Sequence, residues 1–164
     1  MRGLLTSSEL GDQVELQLAE ALDAGTAGAI GARLARMDPW LSLGYGRGQL
    51  AAYLRDDHPE RFRYLIKSGE DTLGLAVVRH PWLRGAYVEL LAVFPECQGS
   101  GVGSAALRSL ESRFRGEIAN LWLLVSSFNQ AAQRFYRRHG FAEVGTIEDF
   151  VVPGKDEILM RKRL

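Results

Sequence analysis

The chain has 164 residues, in which 20 basic and 20 acidic side chains cancel to a formal net charge of zero. That balance removes the overall basic field that drives binding to nucleic acid or anionic membrane, so neither is expected as a partner. Hydrophobic residues at 46% and charged residues at 24% exclude a disordered or membrane-embedded chain and suit one ordinary domain with one core, residues 1–164.

The first ten or so residues are expected to be ragged, and nothing near Met1 has the layout of a secretory leader, because the apolar run Gly3–Leu5 is short and Glu9 and Asp12 follow it. Val14–Leu18 alternates apolar and polar residues, the period of a half-buried strand. Thr26 is placed to cap a helix running to about Arg36, with Ile30, Leu34 and Met37 at helical spacing, and Asp38-Pro39 ends it. A second short helix over Arg47–Arg55 puts Leu50, Ala51 and Leu54 on one side. Arg61–Lys67 and Thr72–Arg79 read as a hairpin around Ser68-Gly69-Glu70-Asp71. After a turn over His80–Gly85, Tyr87–Phe94 is a nearly continuous apolar run, the mark of a strand buried on both faces. A glycine-rich stretch then leads into a helix from about Val102 to Arg115. Leu121–Val125 reads as another buried strand and Asn129–His139 as a helix ended by Gly140, with strands over Phe141–Ile147 and Glu157–Lys162 closing the chain. No repeat or linker divides this order, which is that of an α/β layered domain. No apolar stretch approaches the ~18 residues of a membrane span. Cys97 is the only cysteine, which excludes an internal disulfide and a cysteine-rich metal site and makes a cytoplasmic location the simpler reading.

Gly99, Gly101 and Gly103 lie between the end of a buried strand and the start of a helix, where exposed amides and the helix dipole form an anion site. An ordinary strand-to-helix turn is the alternative. A dinucleotide fingerprint requires G-x-G-x-x-G, whereas this run is Gly99-Ser100-Gly101-Val102-Gly103. A P-loop requires Gly-Lys-Ser/Thr, and the one Gly-Lys pair, Gly154-Lys155, is followed by Asp156. Both known phosphate loops are therefore excluded.

The stretch does match Gln/Arg-x-x-Gly-x-Gly/Ala, as Gln98-Gly99-Ser100-Gly101-Val102-Gly103. Preceded by Leu91-Ala92-Val93-Phe94-Pro95 and followed by Asn129 and by Phe135-Tyr136-Arg137-Arg138-His139-Gly140-Phe141, it resembles the GNAT superfamily of CoA-dependent N-acetyltransferases over Tyr87–Phe141. The resemblance implies a mixed, mostly antiparallel sheet of about seven strands flanked by about four helices, with two central parallel strands splayed apart to hold CoA. It implies acetyl-CoA as cosubstrate, an amine as acceptor, direct attack in a ternary complex, and no metal. The amides of Gln98, Gly99, Ser100, Gly101, Val102 and Gly103, with Ser104, would hold the CoA pyrophosphate. Leu91, Ala92 and Val93 would offer their backbone to the pantetheine arm, opposite Leu123–Val125, and Asn129 would hydrogen-bond the arm further along. Tyr136 falls where the family carries the tyrosine that protonates CoA sulfur, the alternative being a tyrosine that only packs on the sheet.

Amine acetylation also requires the amine to arrive unprotonated. Glu89 is the candidate base, as the one charge in an otherwise apolar strand, on the same face as Tyr87, Leu91 and Val93 by strand parity; a salt-bridged structural glutamate is the alternative. By the resemblance the acceptor site draws on the segment between the first two helices and on the late strands, where Trp40, Tyr45 and Phe150 would make an aromatic pocket, with Asp149 at its rim, for an amine with a hydrophobic body. Family members that acetylate protein N-termini often carry a glutamate in the strand where this chain has Leu124. His80 and His139 lack partners at metal-ligand spacing. Arg134, Arg137 and Arg138 read as a solvated helix face or as a phosphate contact. A CoA-responsive domain without turnover and transfer of a longer acyl group are the competing functions. A monomer or a homodimer through Val151-Val152 and Ile158-Leu159 is consistent with the sequence.

Overall fold

The structure is a computed structural model that describes residues 11, 13–20 and 22–164; the expected ragged first ten residues lie outside the described residues. Strands β1 (Glu15–Ala19), β2 (Arg61–Ser68), β3 (Asp71–Trp82), β4 (Gly85–Val93), β5 (Asn120–Ser126), β6 (Ala142–Val152) and β7 (Lys155–Arg163) form one sheet. Its order is β1-β2-β3-β4-β5-β7-β6. All neighbours run antiparallel except β4 and β5. The helices are α1 (Ala24–Leu34), α2 (Arg47–Arg55), α3 (Val102–Phe114) and α4 (Gln130–Arg138), with a 3-10 turn at Pro95–Cys97. Among the described residues this is the mixed, mostly antiparallel sheet with four flanking helices that the resemblance implied.

Local chemistry explains most boundaries, and several differ from the sequence reading, β6 among them, which runs on to Val152 instead of ending at Ile147. Helix α1 starts at Asp23, not Thr26: the Asp23 carboxylate accepts from Thr26 N at 2.9 Å and from Thr26 Oγ1 at 2.6 Å, so Thr26 lies inside the first turn. The turn expected over His80–Gly85 shrinks to Leu83 and Arg84, both at positive φ, because β3 continues to Trp82. Pro81 is tolerated there since β2 ends its pairing at Arg61↔Arg79, leaving no ladder partner for a Pro81 N–H on that side.

Helices α1 and α2 cover one face of the sheet, where Ile30, Leu34, Leu50 and Leu54 pack on Leu75, Val77, Leu90 and Ala92. Helix α3 covers the other, with Leu107, Leu110 and Phe114 on Ala76, Val78, Val88, Leu121 and Leu123, and Phe135 and Tyr136 of α4 at its border. Across this interior the buried Glu111 of α3 accepts from Lys162 Nζ of β7 at 2.7 Å.

Two irregularities in β4 shape the site. Val77 pairs with Leu90 and Val78 with Val88, so Glu89 is an extra residue, a β-bulge. The bulge corrects the strand parity of the sequence reading: Tyr87 and Glu89 face α2, but Leu91 and Val93 face α3, where Leu91 joins Val102 and Ala106. The second irregularity is the end of the parallel pairing. β4 and β5 match from Gly85↔Asn120 to Val88↔Leu123 and then part. The outer edges of both strands remain occupied, β4 by β3 and β5 by β7 as far as Ser126↔Glu157. Glu89–Val93 and Leu124–Ser126 thus face each other across a gap with unpaired backbone edges.

Gly85 sets the base of that gap, because a Cβ there would lie 1.9 Å from Asn120 O on β5. Gly85→Ala is expected to lower unfolding stability by about 2 kcal/mol through overpacking, read as a lower urea midpoint; an unchanged midpoint would show that the two strands can separate at no loss.

Candidate active site

The gap between β4 and β5 joins two cavities. On the α3 side a cavity of about 690 Å³ is bordered by Leu91, Val93, Gln98, Gly99, Gly101, Gly103, Ser104, Asn129 and Tyr136. On the α2 side a cavity of about 410 Å³ is bordered by Trp40, Tyr45, Tyr53, Tyr87, Glu89, Phe150 and Glu157. Leu91, Val93, Gln98, Asn129 and Tyr136 border both and mark the junction.

The glycine-rich segment forms the floor of the first cavity. Gly99 and Gly101 adopt φ of 73° and 79°, and Gly101 is the left-handed residue from which α3 starts. A Cβ on either would meet nothing within 4 Å, so the approach to the backbone there is open. Gln98 Nε2 donates to Val93 O at 2.9 Å, tying the loop to the end of β4. The predicted side chains divide by direction. Ser100 Oγ donates to Cys97 O, and Val102 is buried under the sheet, so these two can offer only their backbone to the cavity. Asn129 caps α4, its Oδ1 accepting from Ala132 N at 3.1 Å.

Of the three carboxylates that border the second cavity, Asp38 is exposed, and Glu89 and Glu157 have opposite surroundings. Glu89 accepts from Tyr53 Oη at 2.7 Å, Arg61 Nε at 2.8 Å and Arg79 Nε at 2.7 Å. Burial alone would raise its pKa, but those hydrogen bonds and the Arg61 charge hold it below the usual glutamate value, so Glu89 is an ionised anchor shared by α2, β2 and β3. Burial, and then the charge of Glu89, push the Tyr53 and Tyr87 phenols up. Glu157 of β7 is also buried, yet among the described residues accepts only from Ser126 Oγ, at 2.6 Å, and burial pushes its carboxyl above the usual range. Tyr136 sits between the two cavities, and burial alone pushes its phenol up to about 12.

Comparison with known proteins agrees with this geometry. The acetyltransferase (GNAT) family model matches residues 32–141. The chain belongs to the GNAT acetyltransferase family. An uncharacterised N-acetyltransferase of Methanocaldococcus jannaschii is 38% identical over 103 residues, a match that spans 61% of this chain and 65% of that relative. A nourseothricin acetyltransferase structure is 30% identical, covering 67% of this chain and 69% of that one with a TM-score of 0.57. The fold extends further: an acetyltransferase from Thermus thermophilus superposes with a TM-score of 0.71 over 91% of this chain and 97% of its own, at 21% identity.

Within this GNAT fold the aromatic side chains expected in the acceptor pocket, Trp40, Tyr45 and Phe150, border the second cavity, whereas Asp149, expected at its rim, accepts from Gly154 N in the β6–β7 hairpin and does not border it. Sequence reasoning missed Tyr53, Arg61, Arg79 and Glu157. The helical spacing of Tyr53 three residues after Leu50 was a usable signal, but the arginines belong to separate strands and only the sheet order brings them to Glu89. The arginine cluster separates: Arg138 borders the first cavity, while Arg137 pairs with Glu143 at 3.3 Å. Burial and then Glu96 raise the Cys97 thiol, which leaves it protonated and unreactive at neutral pH. Among the described residues no group of three or more His, Cys, Asp or Glu side chains is placed to hold a metal ion, and no helix is long and apolar enough to cross a membrane.

Glu89→Gln leaves Arg79 without its counter-charge and Arg61 with Asp56 alone and should lower stability by about 3 kcal/mol near pH 7. Because the folded-state pKa of Glu89 is depressed, its contribution is complete above the ordinary glutamate value and is lost as pH falls through the depressed one. The difference between parent and variant should therefore shrink on acidification, and urea titrations at pH 7 and pH 3 measure it; a difference independent of pH would contradict the ionised anchor.

Proposed function

We propose that this chain transfers an acetyl group from acetyl-CoA to a primary amine by direct attack, with the donor in the α3-side cavity and the acceptor in the α2-side cavity. One observation carries the reading: the two cavities meet at the unpaired edges of β4 and β5, where Tyr136 stands. The residues present suit acetyl-CoA. The amides of Gln98–Gly103 and Ser104 at the start of α3 can receive the pyrophosphate, with open space where side chains on Gly99 and Gly101 would otherwise block it. The backbone of Leu91–Val93 on the edge away from β3, where the Val93 carbonyl accepts from Gln98 Nε2, can pair with the amide groups of the pantetheine arm, and Asn129 can extend that contact through its Nδ2.

Acetyl-CoA supplies an activated carbonyl and a thiolate leaving group. Tyr136 donates its phenolic proton to that sulfur as the carbon–sulfur bond breaks. Its raised pKa keeps it in the acid form throughout the working pH range, and its hydroxyl carries no hydrogen bond from a described residue that would divert the proton. Trp40, Tyr45 and Phe150 form an aromatic rim around the acceptor cavity, and Lys155 Nζ, donating to Ser42 O, ties the β6–β7 hairpin to the segment that carries Trp40. Such walls favour an amine with an apolar or aromatic body. Glu89, pinned by two arginines, serves here to hold α2 against the sheet and to keep the α2-side wall in place.

Calorimetric titration with acetyl-CoA tests the donor site. Gly101→Leu, a side chain at positive φ over the loop amides, should weaken binding at least tenfold. Tyr136→Phe should bind acetyl-CoA as the parent does and release thiol on the order of 100-fold more slowly. No binding by the parent would remove the reading; binding without thiol release to any amine would leave a CoA-responsive domain in its place.

A further inference from the structure

Glu89 is the carboxylate that strand position suggests as a base, but both its oxygens are engaged by Arg61, Arg79 and Tyr53. A carboxylate held by two cations has little affinity for a proton. The same cavity offers another. Glu157 lies across the gap on β7, directly opposite Ser126 in the register, and the strand alternation that sends Ile158 and Met160 into the α3-side core turns Glu157 toward the α2 side. It is 5% exposed, borders the cavity with Tyr136 and Tyr87, and pairs with no Lys or Arg among the described residues. A buried carboxylate with one hydroxyl donor and no counter-ion requires a cation or a proton to complete its surroundings.

Resting on the acetyl-transfer reading, we infer that Glu157 is the group that receives the acceptor amine: it draws the ammonium into the α2-side cavity and takes one of its protons. In that step a nitrogen–hydrogen bond breaks and an oxygen–hydrogen bond forms on Glu157. The freed lone pair attacks the thioester carbonyl, a carbon–nitrogen bond forms, the carbon–sulfur bond breaks, and the sulfur takes the Tyr136 proton. The second proton shed by the new amide nitrogen returns to Tyr136, and Glu157 releases the first to solvent, so that the ammonium loses two protons, one to the thiol and one to water.

Several features agree. Burial raises the affinity of Glu157 for a proton, which brings a carboxylate closer to neutral pH, where a base is effective. The titratable and charged groups around it are Tyr87, Glu89 and Arg79 from the strands, Tyr53 from α2, Asp38 and Tyr45 from the segment before α2, Tyr136 from α4 and Lys155 on its own strand. Glu89 and Arg79 are already joined to each other, Asp38 is exposed and accepts from Ser42, Lys155 Nζ donates to Ser42 O, and the Tyr53, Tyr87 and Tyr136 phenols stay protonated, so Glu157 is left as the uncompensated buried charge of the cavity.

The test measures thiol release from acetyl-CoA by the full chain with benzylamine, 2-phenylethylamine, spermidine and a short peptide with a free N-terminus, across pH 5.5 to 9.5. With the best acceptor, Glu157→Gln should lower kcat/KM about 100-fold at pH 7, with acetyl-CoA affinity within twofold of the parent. The loss should shrink toward pH 9.5, where the amine deprotonates unaided. Ser126→Ala removes the donor that lowers the Glu157 pKa and should move the acid limb of kcat/KM to higher pH. A Glu157→Gln enzyme with the parent's rate and pH profile, or a Ser126→Ala acid limb that does not move, would overturn the inference while acetyl transfer itself stood. No thiol release by the parent with any of the four amines would overturn both.

Discussion

Where β4 and β5 part after four paired positions, backbone N–H and C=O groups in the middle of a sheet lose their partners, and each such group left unsatisfied when buried costs about 1–3 kcal/mol. A sheet that carries this gap is stable only if something with its own amide groups can enter it or water can reach it. The rest of the site is arranged around that requirement. Gly85 holds the closed end at a distance no side chain could tolerate. The Gln98–Gly103 loop lies beyond the open end, with its amides turned outward by left-handed glycines. The separation also opens a passage from one face of the sheet to the other, so that material bound along α3 and material bound under α2 can meet at one point.

Charge is distributed so that the two sides of the passage do different things. On the α2 side Glu89 is consumed as a tie between three elements, and its ionisation is locked by Arg61 and Arg79. Glu157, a short way across the same cavity, keeps its capacity to bind a proton or a cation because its one partner is a serine. Tyr136 between the cavities stays protonated because burial raises its pKa. On the proposed reading, acid and base roles are separated by environment and not by residue type, which is how a buried site can hold a donor and an acceptor of protons at the same pH.

The fold class was legible because its signals are local: the alternation of β1, the spacing of apolar residues in α1 and α3, and the glycine run after an apolar strand each report on their own segment. That the aromatic residues Trp40, Tyr45 and Phe150 border one cavity was legible once the segment order was matched to the family. What failed were statements about faces. A bulge at Glu89 shifts every later residue of β4 by one, so Leu91 and Val93 turn from Glu89 although they lie at even spacing from it. Nothing in the residues around Glu89 marks that bulge, which arises from the mismatch of two long strands. Glu157 was read as the start of a closing strand, and its importance depends on β7 inserting between β5 and β6, a long-range pairing that no local pattern encodes.

Hydrogen–deuterium exchange with and without saturating acetyl-CoA reads the central claim at the backbone itself. The amides of Gly85–Val88 should exchange slowly in both states, while those of Glu89–Val93, Leu124–Ser126 and Gln98–Ser104 should exchange faster in the free protein and become protected together on binding. If acetyl-CoA binds and the Glu89–Val93 and Leu124–Ser126 segments exchange unchanged, the gap between β4 and β5 is not where the cofactor lies, and the assignment of the two cavities falls with it.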